Sequence, residues 1–208
     1  MQTRRELLPE HFLLDTEALP RPIGFAELFG NANPVELEIG SGKGTFITDQ
    51  ARRRPEVNFL GLEWARWFAR YAADRLRRHG CANARMARAE ANWFCRELIG
   101  DGTLAAVHIY FPDPWPKARH HKRRIVQPPF MLEINRMLAP GGRLQVVTDH
   151  AEYFQHIEPT VHNSVLEVTD YQTPGSAAEG ETVGTNFERK YAREGRPFHT
   201  IAARKPAS

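Results

Sequence analysis

The stretch Val35-Glu36-Leu37-Glu38-Ile39-Gly40-Ser41-Gly42-Lys43-Gly44 decides the fold. A short apolar-rich run ends in glycines, and Thr45 to Arg54 then reads as a helix stopped by Pro55. Glycines at the junction permit a tight turn and let a ligand approach the backbone closely. The spacing is Gly-x-Gly-x-Gly, not the Gly-x-Gly-x-x-Gly of dinucleotide sites, and no Gly-Lys-Ser/Thr closes it as in a Walker loop. Taken alone, such a loop is compatible with NAD, with a phosphate, or with helix–sheet packing only.

Toward the C-terminus the same alternation repeats. Asn58 to Leu62 reads as a strand, and Trp64 to His79 as a helix stopped by Gly80. Trp64, Trp67, Phe68, Tyr71, Ala72 and Leu76 fall at helical spacing, so these aromatic residues are expected in the core beneath an arginine-rich outer face. Ala84 to Ala89 reads as a strand, Asn92 to Ile99 as a short helix, and Leu104 to Phe111 as the strongest strand in the chain. Val126 to Leu138 is expected to be a helix ended by Pro140-Gly141-Gly142, Arg143 to Thr148 a strand, and Tyr153 to Val161 a helix. Leu166 to Val168 and His199 to Ala203 form a terminal antiparallel pair in this reading. Strands separated by helices of this length imply a parallel sheet with helices on both faces. Gln172 to Gly184 is rich in Gly, Ser, Ala and Glu, and is expected to be a mobile loop that buries little apolar surface.

The chain has 208 residues, enough for one domain with a sizeable core, here preceded by a short N-terminal extension over about residues 1–30. At 41% hydrophobic and 25% charged it has the composition of a soluble protein. No apolar run approaches the roughly 20 residues that span a bilayer. Met1 to Glu10 carries arginines but no following signal-peptide core, so a cytoplasmic location is expected. Cys81 and Cys95 form neither a disulfide framework nor a zinc pattern and are expected to be ordinary buried or half-buried residues. His108, inside an apolar strand, reads as a satisfied core histidine. Net charge is only +3, but Lys117, Arg119, Lys122, Arg123 and Arg124 crowd into one stretch with His120 and His121. A local basic patch of this kind suits a phosphate-binding surface.

Acids at successive strand ends sharpen the ligand class. Glu38 precedes the glycine loop, where a carboxylate can take the amino-acid part of a zwitterionic ligand. Glu63 ends the second strand and is placed to accept both ribose hydroxyls of an adenosine, because neighbouring parallel strands bring their carboxyl ends together. Glu90 ends the third strand and can meet the adenine edge, with Asn92 as its rival. Together with Gly40, Gly42 and Gly44, these acids point to a nucleotide-like cofactor.

The run Phe111-Pro112-Asp113-Pro114-Trp115-Pro116-Lys117-Ala118-Arg119-His120-His121-Lys122-Arg123-Arg124-Ile125-Val126-Gln127 resembles the bacterial tRNA (guanine-N7)-methyltransferase family closely. Leu37 to Gly42, Gly61-Leu62-Glu63, Thr148-Asp149 and Thr185-Asn186-Phe187-Glu188 agree in order, so the resemblance covers roughly Asn33 to Phe187. It implies a Rossmann-like class I methyltransferase fold, a mostly parallel seven-stranded sheet with helices on both faces. It also implies methyl transfer from S-adenosylmethionine to N7 of the guanine at conventional position 46 in the tRNA variable loop. By matching position, Glu38, Glu63, Glu90 and Asp113 would bind or adjoin the cofactor, and Lys117, Asp149, Thr185, Asn186, Phe187 and Glu188 the substrate. Three positions depart from the family pattern. Glu90 stands where Asp is usual, Asn186 where Lys is usual, and His150 where an aromatic residue is expected.

N7 of guanine has a free lone pair at neutral pH, so attack on a methyl sulfonium requires positioning rather than a general base. That suits a chain without a Ser/His/Asp or Cys/His constellation. Asp113, after the strongest strand, is the catalytic candidate, either stabilising positive charge on the guanine or holding its N1 and N2 donors. Arg119, Lys122, Arg123 and Arg124 are the expected contacts to the RNA backbone, and Trp115 is a candidate to stack on the target base. The expected partner is tRNA, with no membrane and no metal; monomer and homodimer are both left open. The competing readings are a non-catalytic RNA-binding protein with a decayed cofactor site, and a nicotinamide oxidoreductase. Intact Gly40, Gly42, Gly44, Glu63 and Asp113 disfavour the first, and the glycine spacing disfavours the second.

Overall fold

Every residue of the first long strand, β2 (Val35–Ile39), is buried, and so is every residue of its neighbour β3 (Asn58–Leu62). Parallel strands covered on both faces have this character. The computed structural model describes residues 6–207. Residues 1–5, the first part of the expected N-terminal extension, and residue 208 lie outside the described residues.

Eight strands form one sheet in the order β1-β4-β3-β2-β5-β6-β8-β7. Beside β2 and β3 stand β1 (Leu13–Leu14), β4 (Ala84–Ala87), β5 (Leu104–Tyr110) and β6 (Leu138–Thr148), all parallel. β8 (His199–Arg204) inserts antiparallel between β6 and β7 (Glu167–Thr169), the terminal pair expected from the sequence. The sheet is built outward from β2 in one direction through β3 and β4, and in the other through β5 and β6. The carboxyl ends of β2 and β5 therefore diverge into a crevice, where open α/β sheets bind their ligands.

Helices cover both faces. α4 (Ala91–Leu98), α5 (Pro128–Met137) and α6 (Ala151–His162) pack Phe94, Ile134 and Ile157 against Leu37, Val107 and Ile109. On the opposite face, α2 (Thr45–Arg53) and α3 (Arg66–Arg78) pack Ile47, Ala72 and Leu76 against Phe59 and Met86. Cys81 and Cys95 are both buried and free. Among the described residues no helix is long and apolar enough to cross a membrane, and no group of three or more His, Cys, Asp or Glu is arranged to hold a metal ion.

β2 also turns two acids toward the α2 face. Glu36 accepts Arg54 Nη2 at 2.6 Å and lies 2.9 Å from His108 Nε2. Burial raises its carboxyl, but the hydrogen bonds from His108 and Arg54 prevail and hold it at about 2. His108 Nδ1 reaches the Tyr110 hydroxyl at 2.9 Å, and that hydroxyl donates to Gln145 at 3.0 Å. His108 is thus the satisfied core histidine expected.

Three expectations need correction. The sheet has eight strands rather than seven, because the two-residue β1 pairs with Met86 and Ala87 at one edge, too short a run to show a period. α1 (Phe25–Phe29) and α7 (Asn186–Arg193) are likewise short helices not anticipated. Second, Trp64 and Trp67 are 65% and 44% exposed, not core. α3 instead buries Ala69, Ala72, Ala73 and Leu76. The reason is a close approach to the glycine loop: a Cβ on Gly44 would lie 2.8 Å from Ala72 Cβ, so only small side chains fit there and the rings occupy the other faces. Third, the loop 172–184 buries more than its composition suggests. Val183 packs fully buried with Phe46, Tyr110 and Val147, and Ser176 accepts Gln50 Nε2 at 2.6 Å.

Candidate active site

The glycine loop takes the conformation its residues allow. Gly40, Gly42 and Gly44 all have positive φ (82°, 52° and 69°), and Gly44 forms the N-terminal cap of α2. The amides of Gly40 and Ser41 both donate to Leu62 O at 2.9 Å, which draws the loop onto the end of β3. The next residue, Glu63, completes the junction. Its Oε2 accepts the Gly42 amide at 2.9 Å and its Oε1 the Ala65 amide at 2.8 Å.

A cavity of about 490 Å³ opens beside this junction, within the usual size of a small-molecule site. Its lining includes Gly40, Gly42, Glu63, Glu90 and Asp113, together with Trp64, Phe68, Tyr110, Phe111, Trp115, Arg123, Ile125 and Phe187. The ends of β2, β3, β4 and β5 thus converge on one space. Trp64 and Phe68, read from sequence as core, belong to its wall.

Glu38 lies beneath the loop, 5% exposed, with no hydrogen-bond partner for Oε2. Burial, reinforced by the nearby charge of Glu63 and opposed by Ser41, pushes its carboxyl up to about 7. A buried acid with an unpartnered oxygen is suited to receive a cation. Glu90 caps α4, accepting the amides of Asn92 at 3.0 Å and Trp93 at 2.8 Å. Partial burial works against ionisation of Glu90, but those amides hold its carboxyl below the ordinary range. The Asn92 side chain donates to Glu90 at 2.8 Å and faces a neighbouring basic cavity, so it is not brought to the wall of this one.

Asp113 is exposed at the cavity rim after β5. Phe111 and Trp115 on either side of it hold left-handed backbone (φ 51° and 43°), a strained state for bulky residues that clusters at functional sites. Arg124 explains how this loop is held. It is 4% exposed, donates from Nε to Pro114 O at 2.8 Å and from Nη2 to Glu152 at 2.9 Å, and lies 4.7 Å over the Tyr153 ring. The expectation that Arg124 faces RNA is therefore corrected: its guanidinium braces the loop from behind. Arg119, Lys122 and Arg123 remain exposed on a 3-10 turn (Ala118–Arg123) that Lys117 caps. The Arg123 guanidinium sits 4.9 Å over the Trp115 ring.

The remaining expected residues separate. Asp149, at the end of β6, accepts Arg196 Nη1 at 2.7 Å, and Arg196 in turn covers the Tyr191 ring. Neither Arg196 nor Tyr191 carried a signal in the sequence. Thr185 caps α7 by accepting the Glu188 amide at 3.1 Å. Glu188 is 2% exposed and accepts the amides of Val183 at 2.9 Å and Gly184 at 2.6 Å, as well as that of Thr182. These side chains are engaged within the turn of the chain itself, Thr185 at the helix start and Glu188 beneath it. A Thr-x-x-Glu spacing at a helix start is the available signal for this role. Asn186 is exposed, and Phe187, 46% exposed, reaches the cavity, where its ring closes over Gly42.

Comparison with known proteins places this geometry. A protein-family model described as "Putative methyltransferase" matches residues 32–201. The tRNA (guanine-N(7)-)-methyltransferase of Rhodopirellula baltica is 38% identical over 203 residues, covering 94% of this chain and 75% of its own length. The protein of the same name from Myxococcus xanthus is 34% identical over 210 residues, covering 99% of this chain and all 100% of its own. Among solved structures, the aminoglycoside resistance methyltransferase NpmB1 superposes with a TM-score of 0.60 at 17% identity, over 87% of this chain and 91% of that one. A SAM dependent methyltransferase from Aquifex aeolicus gives 0.57 at 12% identity, over 87% of each chain. At such identities the likeness concerns the fold.

Proposed function

The chain belongs to the bacterial tRNA (guanine-N(7)-)-methyltransferase family, and we propose that its 490 Å³ cavity holds S-adenosylmethionine for methyl transfer to N7 of a guanine in tRNA. The enzyme is a methyltransferase of the Rossmann-like α/β class, acting on tRNA. The guanine at conventional position 46 of the variable loop is the nucleotide we assign as its target, and the cytoplasm is the compartment this implies.

The observation that carries the cofactor reading is the buried Glu38, whose Oε2 has no partner in the protein. Glu38 lies behind the cavity wall rather than in it, and the ammonium group of a ligand reaching beneath the loop is the partner we assign to that oxygen. Glu63 and Glu90 each retain acceptor capacity beyond the amides they hold, since a carboxylate offers about four lone-pair sites. Glu63 is the candidate for the ribose hydroxyls and Glu90 for the adenine edge, with Gly40 leaving open space where the ligand meets the loop.

When bound, S-adenosylmethionine supplies an electrophilic methyl on a sulfonium. The protein's own contribution is then orientation and field. The guanine needs no base, because N7 has a free lone pair. Asp113 at the rim places negative charge where the ring becomes positive, worth roughly 3–4 kcal/mol if it acts as other preorganised groups do. The strained Phe111–Trp115 loop, braced by Arg124, fixes that carboxylate relative to the cavity. Lys117, Arg119, Lys122 and Arg123 give phosphates a cationic surface beside the same rim. Transfer of a labelled methyl group to unmodified tRNA by the purified protein tests the proposal, and failure with cofactor demonstrably bound would remove it.

A further inference from the structure

The aromatic residues that α3 leaves outside form a surface of their own. The rings of Trp67 and Tyr71, one helical turn apart, stack at 5.1 Å with 28° between their planes. Trp67 is 44% exposed and its edge meets Phe68 at 5.2 Å. Phe68 lines the cavity. The exposed stack is thus continuous with the cavity wall.

Its surroundings are cationic. Arg66 and Arg70 each precede one of the two rings by a single position, and Arg75, Arg77 and Arg78 follow on the same helix. The acid of α3, Asp74, is engaged by Arg77 and Arg78. Arg66 and Arg70 form no ion pair among the described residues. A second copy of the chain would be a poor occupant, because a two-fold interface sets the same patch against itself and brings arginine to arginine. Single-stranded nucleic acid is complementary on both counts: its phosphates answer the arginines and its bases offer planar faces to the rings.

We propose that Trp67 and Tyr71, flanked by Arg66 and Arg70, form a stacking platform for an unpaired nucleotide of the tRNA neighbouring the one that enters the cavity. The proposal rests on the tRNA reading above and adds a contact outside the reaction centre. An enzyme that must reach a base within a folded RNA has to hold the unstacked strand around it, and a sequence-tolerant aromatic surface does this without reading the base.

The test compares the parent with Trp67→Ala, Trp67→Phe and the double variant Arg66→Gln/Arg70→Gln, using unmodified tRNA as the probe. We expect Trp67→Ala to raise KM for tRNA about tenfold, the scale of one lost base–aromatic stack, while Trp67→Phe retains most of the affinity. The arginine pair should lower the salt dependence of tRNA binding, which Trp67→Ala should leave unchanged. Cofactor affinity and melting temperature should match the parent in all three. Unchanged KM in all variants of an enzyme that methylates tRNA would overturn the platform and spare the activity. A parent that sediments as a dimer, is split by Trp67→Ala and keeps its KM would assign the surface to a second copy and overturn it equally. If the parent transfers no methyl to tRNA, the enzymatic reading fails, and equal tRNA affinities of parent and Trp67→Ala in filter binding would overturn the platform separately.

Discussion

Glu63 Oε2 accepts the backbone amide of Gly42 at 2.9 Å, so the carboxylate at the end of β3 holds the glycine loop that follows β2. The same side chain accepts Ala65 at the start of α3 with its other oxygen. One residue thereby fixes the relative placement of two strands' ends and borders the cavity. Glu63→Gln keeps the shape but replaces one acceptor oxygen with a donor that cannot receive an amide. Cofactor affinity is expected to fall by about 1.5–3 kcal/mol, the worth of a hydrogen bond to a charged group, as read by calorimetry. Parent-like affinity in a folded variant would take Glu63 out of the site.

Glu38 makes the stability of the cofactor-free protein depend on pH. Its carboxyl titrates near 4.5 when unfolded and at about 7 when folded. Between these values the folded chain carries the extra proton. The associated stability is therefore full below about 4.5 and is lost as pH rises through about 7. Glu38→Gln does not titrate, so it should gain on the parent from pH 5 to pH 8, by about 3 kcal/mol at most. It should also bind S-adenosylmethionine more weakly at pH 8, having lost the anion we propose as the partner of the ammonium. Melting curves at several pH values check the first effect; a constant difference between the two proteins would show that Glu38 is ionised throughout.

Asp113→Asn removes charge and retains shape. If the carboxylate stabilises the positive guanine, kcat at saturating tRNA should fall by about 10²–10³ while cofactor affinity barely changes. Equal turnover would leave Asp113 only the shape of the Pro112–Pro114 turn to maintain.

The basic turn divides into two kinds of residue. Arg119 and Lys122 are exposed, and each removed should lower the slope of log tRNA affinity against log salt by about 0.7–0.9. Arg124→Ala should act differently, lowering the melting temperature through the lost bonds to Pro114 and Glu152, worth about 1.5–3 kcal/mol. Filter binding across a salt series, beside thermal melts, separates the two. A salt slope that falls with Arg124→Ala alone would reverse the assignment.

Much of this was legible in the sequence because it is local. The strands β2, β3 and β5, the glycine loop and the acids at their ends follow from apolar runs, glycine punctuation and strand order. What sequence missed was set by contacts distant along the chain. Trp64 and Trp67 share the spacing of a buried face, and only the approach of Ala72 to Gly44 shows that the narrow side of α3 is the one that packs. Arg124 belongs by composition to a basic run, yet it turns inward to Glu152, many residues away. Glu188 gathers the amides of residues 182–184, an engagement that the sequence does not show. Val183 is a single branched apolar residue in a polar loop, too little to signal that it packs against Phe46, Tyr110 and Val147.

The most direct measurement incubates purified protein with methyl-labelled S-adenosylmethionine and unmodified tRNA, then maps the labelled nucleotide by mass spectrometry of nuclease digests. The expected product is a single N7-methylguanosine in the variable loop, at conventional position 46, formed by the parent and strongly reduced by Asp113→Asn. A label on another atom or in another RNA, or tRNA bound tightly with no label transferred, would contradict the assigned activity.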